Sequence, residues 1–217
     1  MSLESVQRPQ SLVDQVYERI LDAICVGTLV PGEAVRQDEL AETMHVSRQP
    51  VLIALGQLKR QGFLEARGRR GLQVAPIDRS RFDAIYELRT ALDPLAASLA
   101  ATRATQKQIA MGSSLVEHGR KVAALGDAHA TLLADVEFHR WIYRTSRNPL
   151  VLQMMETQWH HLRRSMSEVL RHRDLARDVW NEHEAITEAI ARGDAEAAAR
   201  LARAHVTIAH TRVGALL

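Results

Sequence analysis

The stretch Glu39–Ala75 constrains the fold of this chain more than any other. Gln37–Thr43, which overlaps the start of this stretch, has the composition of a short helix with one apolar side. A tight turn over residues 44–46 follows, and Ser47 stands where the N-cap of the next helix is expected. Pro50 falls in the first turn of that helix, where the backbone amide lacks a helical partner in any case. The pattern therefore predicts two short helices joined by a tight turn.

The second of these helices has one apolar face, and a hairpin follows it. The residues at helical spacing are Val51, Ala54, Leu55 and Leu58. Phe63–Ala66 and Leu72–Ala75 are typical of two short strands, and the glycines and arginines of residues 68–71 form a basic tip between them. Helix, turn, helix and a basic two-stranded wing make a winged helix-turn-helix, whose second helix fits the major groove of DNA.

Charge is sorted along this part of the chain. Residues 44–74 contain six lysines and arginines against a single acidic residue, Glu65, whereas residues 10–43 contain two arginines against seven acidic residues. A surface that faces DNA phosphates needs basic residues with few acidic ones among them, as residues 44–74 have. The alternative is a charged surface hairpin without a ligand. The candidate DNA-contacting residues are Arg36, Ser47, Arg48, Gln49, Leu52, Arg67, Arg69, Arg70 and Gly71.

At this point the sequence resembles a known family. Ile20–Ile24, Gly27–Gly32, Val46–Val51 and Gly62–Leu64 are similar to the DNA-binding domain of GntR-type bacterial regulators, and the resemblance runs from about residue 12 to residue 75. The family usually has Arg-Glu after Pro-Val, but this chain has Leu52-Ile53 there. The resemblance implies a DNA-binding regulator with an altered groove-facing position.

Composition and charge limit the other possibilities. Apolar residues make up 46% of the 217 residues, which is enough for buried cores, and the net charge is only +2, so DNA binding must depend on local charge. The single Cys25 excludes an internal disulfide and fits the cytoplasm. We see neither a signal peptide nor a membrane-spanning stretch, and we expect no membrane partner.

The predicted domain organisation follows from these patterns. Residues 1–10 form a flexible arm, residues 11–75 the winged helix-turn-helix, residues 76–78 a linker, and residues 79–217 an all-α domain. In that last domain apolar spacing predicts a long helix that can kink at Pro94. The further predicted helices cover residues 106–124, 128–145, 149–172, 175–192 and 195–213. The expected fold class is mainly α, with a small β-wing and a C-terminal helical bundle.

The helical half also resembles a known domain. Its segments Glu87–Arg89, Ala134–Asp135, Phe138–His139 and Asn148–Pro149, together with those around His183 and His205, are similar to the FCD effector-binding domain, which accompanies this winged helix in a large GntR subgroup. The resemblance implies a homodimer that binds a small organic acid and one metal ion per chain.

The metal-binding set can be argued in part from spacing. Asp135 and His139 are four residues apart and share one helix face. His183 precedes Gly193 by ten residues and His205 follows it by twelve, so on antiparallel helices they lie nearly level. One carboxylate and three imidazoles suit Zn²⁺, Ni²⁺ or Mn²⁺, and the resembling domains bind metal at these positions. The alternative for each histidine alone is a core or surface residue.

Arg89 is the candidate effector-binding residue. Its spacing from the apolar residues of the same helix allows it to face the interior. The resemblance implies that its planar fork holds an effector carboxylate in a bidentate manner. The alternative is a surface ion pair with Asp93, four residues on.

Two functions follow from these features. The first is a homodimeric, ligand-responsive transcriptional regulator, with repression as the expected mode, that binds a near-palindromic double-stranded operator. The second is a metal-dependent hydrolase that uses Asp135, His139, His183 and His205, with Glu137 or Glu184 as the general base. A basic wing has no evident use in an enzyme, and HExxH, nucleophile-elbow and phosphate-loop motifs are missing from the sequence. We therefore expect a regulator and not an enzyme.

Overall fold

The computed structural model describes residues 11–69, 71–156, 158–169 and 173–216. The chain separates into two compact units, Met1–Ile77 and Asp78–Leu217. Within the described residues, none of the helices is long and apolar enough to span a bilayer.

The first unit consists of three helices and a small sheet. Its elements are α1 (Leu12–Cys25), β1 (Ala34–Val35), α2 (Gln37–Thr43), α3 (Arg48–Arg60), β2 (Leu64–Arg67) and β3 (Gly71–Val74). The Ser11 side chain accepts from the backbone amide of Asp14, whose carboxylate in turn accepts from the Ser11 backbone, so α1 begins with a capping box. The predicted bounds of α2 and the start of α3 are confirmed, although the Ser47 side chain makes no capping hydrogen bond.

The core of this unit lies between α1 and α3. Val16, Ile20, Leu21 and Ile24 of α1 are buried, as are all four predicted apolar positions of α3. Leu12, the first residue of α1, is 50% exposed.

The wing is a three-stranded antiparallel sheet in the order β1-β3-β2. Arg67 pairs with Gly71 and Leu64 with Val74 in the β2–β3 hairpin, so each of the four strand ends lies one residue away from its predicted position. Strand β1, which pairs Val35 with Leu72, was not predicted because two residues are too few for an alternating pattern.

The second unit is all α-helical. Its elements are α4 (Arg79–Arg103), α5 (Gln106–Leu125), α6 (Ala128–Thr145), α7 (Pro149–Glu156), α8 (Trp159–Val169), α9 (Arg173–Ala191) and α10 (Ala195–Gly214). Pro94 lies inside α4, and the helix continues past it to Arg103. The fold class expected from the sequence, mainly α with a β-wing and a helical bundle, is confirmed.

One predicted helix is wrong: the described residues of the predicted helix 149–172 form α7 and α8 instead of a single helix. At the break between these helices the amide of Gln158 bonds to the carbonyl of Met155, which is one residue closer along the chain than the α-helical partner would be. Met155 and Trp159 are both buried on either side of it. The apolar period therefore continues across the break and could not reveal it.

Aromatic side chains and glycines fill the core of the bundle. Trp141, Trp159 and Trp180 are buried. Helix α5 approaches two of them closely. An ideal Cβ placed on Gly112 would lie 2.3 Å from the ring of Trp141, and one on Gly119 would lie 2.1 Å from that of Trp180. Only a glycine fits at these two positions of α5.

Candidate metal centre and DNA-binding surface

The outward side of α3 carries polar residues at its N-terminal end. Ser47, Arg48 and Gln49 are exposed, while the next residue, Pro50, is buried. Leu52, one turn after Arg48, is 58% exposed. An exposed helix N-terminus with these side chains can reach base edges in a major groove.

Arg48 is not free on this surface. Its Nε lies 2.9 Å from Oδ1 of Asp38, and both side chains are largely exposed. The Nε2 amide of Gln37 donates to the backbone carbonyl of Arg48. Arg36, another candidate contact, pairs with Glu39 at 2.9 Å. The acidic residues of α2 therefore hold both arginines, and a DNA phosphate would compete with solvent-exposed ion pairs, which are weak.

The tip of the wing is formed by exposed residues. Arg67, Arg69 and Gly71 are exposed, and Arg70 lies outside the described residues. Gly68 has a φ of +64°, a backbone conformation that favours glycine. A Cβ on Gly71 would lie 2.8 Å from the carbonyl oxygen of Arg67. The backbone conformation at Gly68 and the close approach at Gly71 thus both favour glycine in the hairpin.

The bundle brings three histidines together. His139 on α6, His183 on α9 and His205 on α10 each offer a ring nitrogen, and these atoms lie within 4.8 Å of one another. All three side chains are buried, with at most 3% exposure. The expectation that His183 and His205 lie level on neighbouring helices agrees with the 4.8 Å between their ring centroids.

Asp135 lies at the edge of this cluster. Its Oδ1 is 3.5 Å from Nε2 of His183, and its Oδ2 is 4.0 Å from Nε2 of His139. Neither oxygen has a hydrogen-bond partner among the described residues, although the residue is completely buried. Burial raises the pKa of Asp135 to about 6. A buried carboxylate without a partner is costly, and a bound cation would remove that cost.

The histidines are in a state that suits metal binding. Burial, followed by the charge of Arg89, lowers the pKa of His139 well below its ordinary value. Burial also lowers the pKa of His183, with a further contribution from His205. Both nitrogens of His183 and Nε2 of His205 have no hydrogen-bond partner among the described residues. Imidazole nitrogens of this kind, neutral at His139 and His183 and beside a carboxylate, match the ligand types of a Zn²⁺, Ni²⁺ or Mn²⁺ site.

Arg89 is buried next to the cluster, and its pairing corrects the sequence interpretation. It does pair with Asp93, as one alternative had it, but the pair is buried and not on the surface. Nε and Nη2 of Arg89 both donate to Oδ2 of Asp93, at 3.1 and 2.9 Å. Tyr143 donates to the other carboxylate oxygen at 2.6 Å. Only Nη1 of Arg89 has no hydrogen-bond partner in the described structure, so one edge of its fork is already occupied.

Aromatic rings lie around this arginine. Its Cζ is 5.3 Å from the ring centroid of Tyr86 and 5.4 Å from that of Trp159. Trp159 also lies 5.2 Å from the ring of His139 and so packs against both groups. Arg89, the aromatic rings and the histidines thus form one buried site.

Sequence reasoning missed Glu182. Its Oε2 lies 2.7 Å from Nδ1 of His205. Nothing in the apolar period of α9 distinguishes this glutamate from its neighbours, because it is partly exposed. Only the packing of α9 against α10 brings Glu182 next to His205.

The general bases considered for a hydrolase are engaged elsewhere. Glu137 pairs with Arg140 at 2.9 Å and approaches Arg144 at 3.6 Å. Glu184 receives two hydrogen bonds from Arg120. Both carboxylates are on partly exposed ion pairs and not in the buried cluster, so the geometry does not favour the hydrolase.

The sequence matches two families of known proteins. Residues 12–74 match the family described as bacterial regulatory proteins, gntR family, and residues 84–207 match the FCD domain.

Individual proteins are similar over most of the chain. An uncharacterised HTH-type transcriptional regulator, YdhC of Bacillus subtilis (strain 168), is 26% identical over 203 residues, which cover 92% of this chain and 90% of that protein. A probable D-xylose utilization operon transcriptional repressor of Paenarthrobacter nicotinovorans is 29% identical over 90% of this chain and 86% of its own length. The solved structure of E. coli McbR/YncC shares the fold, with a TM-score of 0.81 at 21% identity over 94% of this chain and 97% of that one.

Proposed function

The chain belongs to the gntR family of bacterial regulatory proteins and carries an FCD domain, and from this premise we propose that it is a metal-containing transcriptional repressor controlled by a small organic acid. The observation that carries the proposal is the buried group of His139, His183, His205 and Asp135 beside Arg89, in a chain whose other unit has an exposed recognition helix.

The first part of the proposal concerns DNA. Arg48 and Gln49 contact base edges or phosphates from the N-terminal turn of α3, with Arg36, Ser47 and Leu52 beside them. The wing residues Arg67, Arg69, Arg70 and Gly71 contact phosphates or the minor groove. The exposure of the described members of this set supports the assignment.

The second part concerns the metal. Asp135, His139, His183 and His205 would hold one divalent ion per chain, Zn²⁺, Ni²⁺ or Mn²⁺. The unpartnered buried nitrogens and oxygens support it, because they match the donor types that these ions prefer. When bound, the ion would supply a positively charged centre to which an anionic effector could coordinate.

The third part concerns the effector. Nη1 of Arg89 has no hydrogen-bond partner among the described residues and lies in the same buried site, so it can donate a hydrogen bond to a carboxylate. Asp93 already takes the other edge of the guanidinium, so the contact is single and not bidentate. A small organic acid would then interact with the ion and with Arg89 together.

The fourth part concerns assembly. Ala84, Ala91 and Leu95 lie on one side of α4 and are exposed, Leu95 to 45%. Such a stripe is typical of a helix that packs on another helix. We assign it to a homodimer contact, which fits a near-palindromic operator.

The location and the mode of regulation complete the proposal. We place the protein in the cytoplasm, where the operator is. Repression is inferred from the relative named as a repressor.

Elemental analysis tests the metal part. The purified full chain should carry about one metal ion per chain, and His183→Ala should lose it and melt at a lower temperature, because a metal bound only to the native state stabilises it. His129→Ala, a histidine outside the cluster, is the matched control and should keep its metal. Absence of metal from the wild type even after incubation with Zn²⁺, Ni²⁺ and Mn²⁺ would contradict the site.

Fluorescence anisotropy tests the effector part. The full chain is bound to labelled duplex from the region upstream of its own gene, and small organic acids are added one at a time. At least one acid should release or weaken the complex, and Arg89→Lys should shift its effective concentration upward without changing affinity for DNA in its absence. A response to the acid that is the same in both proteins would exclude Arg89 from effector binding.

A further inference from the structure

His205 differs from the other histidines of the cluster in its surroundings. Its Nδ1 lies 2.7 Å from Oε2 of Glu182, while its Nε2 is buried and has no hydrogen-bond partner among the described residues. A carboxylate at this distance accepts a hydrogen bond from Nδ1–H and therefore favours the tautomer whose lone pair is on Nε2.

Glu182 is itself held in place. Nη1 of Arg212 donates to its other oxygen, Oε1, at 2.9 Å, and the Glu182 side chain is only 21% exposed. Nη2 of Arg212 also lies 3.8 Å from Asp178 of α9. One oxygen of Glu182 therefore serves the histidine and the other serves the arginine, which fixes the orientation of the carboxylate between α9 and α10.

The other two imidazoles lack such a partner. Neither nitrogen of His183 makes a hydrogen bond within the described structure. The nitrogens of His139 lie 3.5 and 3.3 Å from Nη2 of Arg89, which is a donor, and Nδ1 is 3.8 Å from Asp93. In the described part of the chain, a carboxylate thus accepts a hydrogen bond from His205 alone of the three.

We propose that Glu182 is a positioning residue for the metal ligand His205. By accepting a hydrogen bond from Nδ1–H it fixes the tautomer and the ring orientation, and its negative charge makes Nε2 a stronger electron-pair donor to a cation. Arg212 keeps the carboxylate in the required orientation. This inference rests on the proposed metal site and adds to it a residue that does not itself touch the ion.

Zn²⁺ affinity of the full chain, measured by competition with a chromophoric chelator, tests the role. Glu182→Ala should weaken Zn²⁺ binding by about 10- to 100-fold, the usual loss when such a partner is removed. Glu182→Gln keeps an oxygen that can accept a hydrogen bond from Nδ1, so its Zn²⁺ affinity should lie between those of the wild type and Glu182→Ala. Glu184→Ala is the matched control, because that glutamate lies on the same helix but pairs with Arg120. It should bind Zn²⁺ as tightly as the wild type.

The visible absorption of bound Co²⁺ separates positioning from mere support of the fold. Glu182→Ala should shift the Co²⁺ bands, because the His205 donor changes, whereas Glu184→Ala should leave them unchanged. If Glu182→Ala lowers the melting temperature of the metal-free protein but retains wild-type Zn²⁺ affinity and Co²⁺ bands, the positioning role is wrong while the metal site stands. If wild type and Glu184→Ala bind neither ion, the metal site is wrong and this role is excluded with it.

Discussion

At the scale of single residues, Arg48 is the side chain on which the DNA-binding proposal most depends. It lies at the exposed start of α3, and Asp38 is its only described ion-pair partner. The sequence predicted its exposed position because the apolar stripe of α3 fixes the opposite face. The ion pair with Asp38 could not be predicted, since it depends on how α2 and α3 pack.

Arg48→Ala should weaken binding to the operator by about 1–3 kcal/mol, the cost of a lost base or phosphate contact. The measurement is a titration of labelled operator at moderate salt. Arg192→Ala is the control, because that arginine is exposed just after the end of α9 and pairs with Glu188 of that helix. Equal affinity of Arg48→Ala and Arg192→Ala would remove Arg48 from the interface.

Leu52 replaces an arginine that the related domains usually have, and its exposure fits a position that faces DNA. A leucine cannot bond to a phosphate, but it can pack on a thymine methyl group. Leu52→Arg should therefore steepen the dependence of log affinity on log salt by about one phosphate contact. A thymine at the facing position of the operator should matter for the wild type.

The control for this variant is Met111→Arg, which makes the same charge change at a residue that is 57% exposed on α5. It should leave the salt slope unchanged. If the slope is also unchanged in Leu52→Arg and replacement of the thymine has no effect, position 52 does not face the DNA.

The cluster of histidines shows how far sequence reasoning reached at this scale. Helical spacing predicted that Asp135 and His139 share one helix face. The similar sequence separations of His183 and His205 from Gly193, ten and twelve residues, predicted that these two lie side by side on neighbouring helices, as their ring distance shows. Glu182 and Tyr143 were not predicted, because a hydrogen bond between helices leaves no trace in the spacing along one of them. Local periodicity therefore finds residues that share a face, but not their partners on the next helix.

At the scale of helices and strands, α5 depends on two glycines that admit tryptophan rings. A methyl group at Gly119 would overlap the ring of Trp180, which is fully buried on α9. Gly119→Ala should lower the free energy of unfolding by about 1–3 kcal/mol, the usual cost of overpacking. Tryptophan fluorescence during denaturant unfolding reports it directly, since all three tryptophans lie in the helical unit.

Ser114→Ala on the same helix is the matched control, because Ser114 is exposed and bonds only to the preceding turn in the described structure. It should change stability by no more than about 0.5 kcal/mol. A Gly119→Ala protein as stable as Ser114→Ala would mean that α5 and α9 do not pack as closely as described.

The elements that the sequence predicted well are those with caps and a regular apolar period. Helix α6 begins after Asp127, whose side chain caps it, and α10 begins after Asp194 in the same way. The break between α7 and α8 was missed because the apolar period runs through it. Strand β1 was missed because it exists only through its pairing with β3.

At the scale of the whole molecule, the chain has two units with separate cores, a winged helix-turn-helix and a helical bundle with a buried polar site. A regulator needs both, since one binds the operator and the other senses a ligand. Thermodynamic linkage requires that an acid which weakens DNA binding is itself bound more weakly in the presence of operator. The proposed function therefore makes the two activities measurable in the same full-length protein.

Selection from a random-sequence duplex DNA library tests the central claim most directly. The metal-loaded full chain should enrich a near-palindromic sequence with half-sites about one helical turn, or a multiple of it, apart, as a symmetric dimer requires. Arg48→Ala should fail to enrich that sequence under the same conditions. If the wild type enriches no sequence beyond what Arg48→Ala enriches, the protein does not act through sequence-specific DNA binding and the account is wrong.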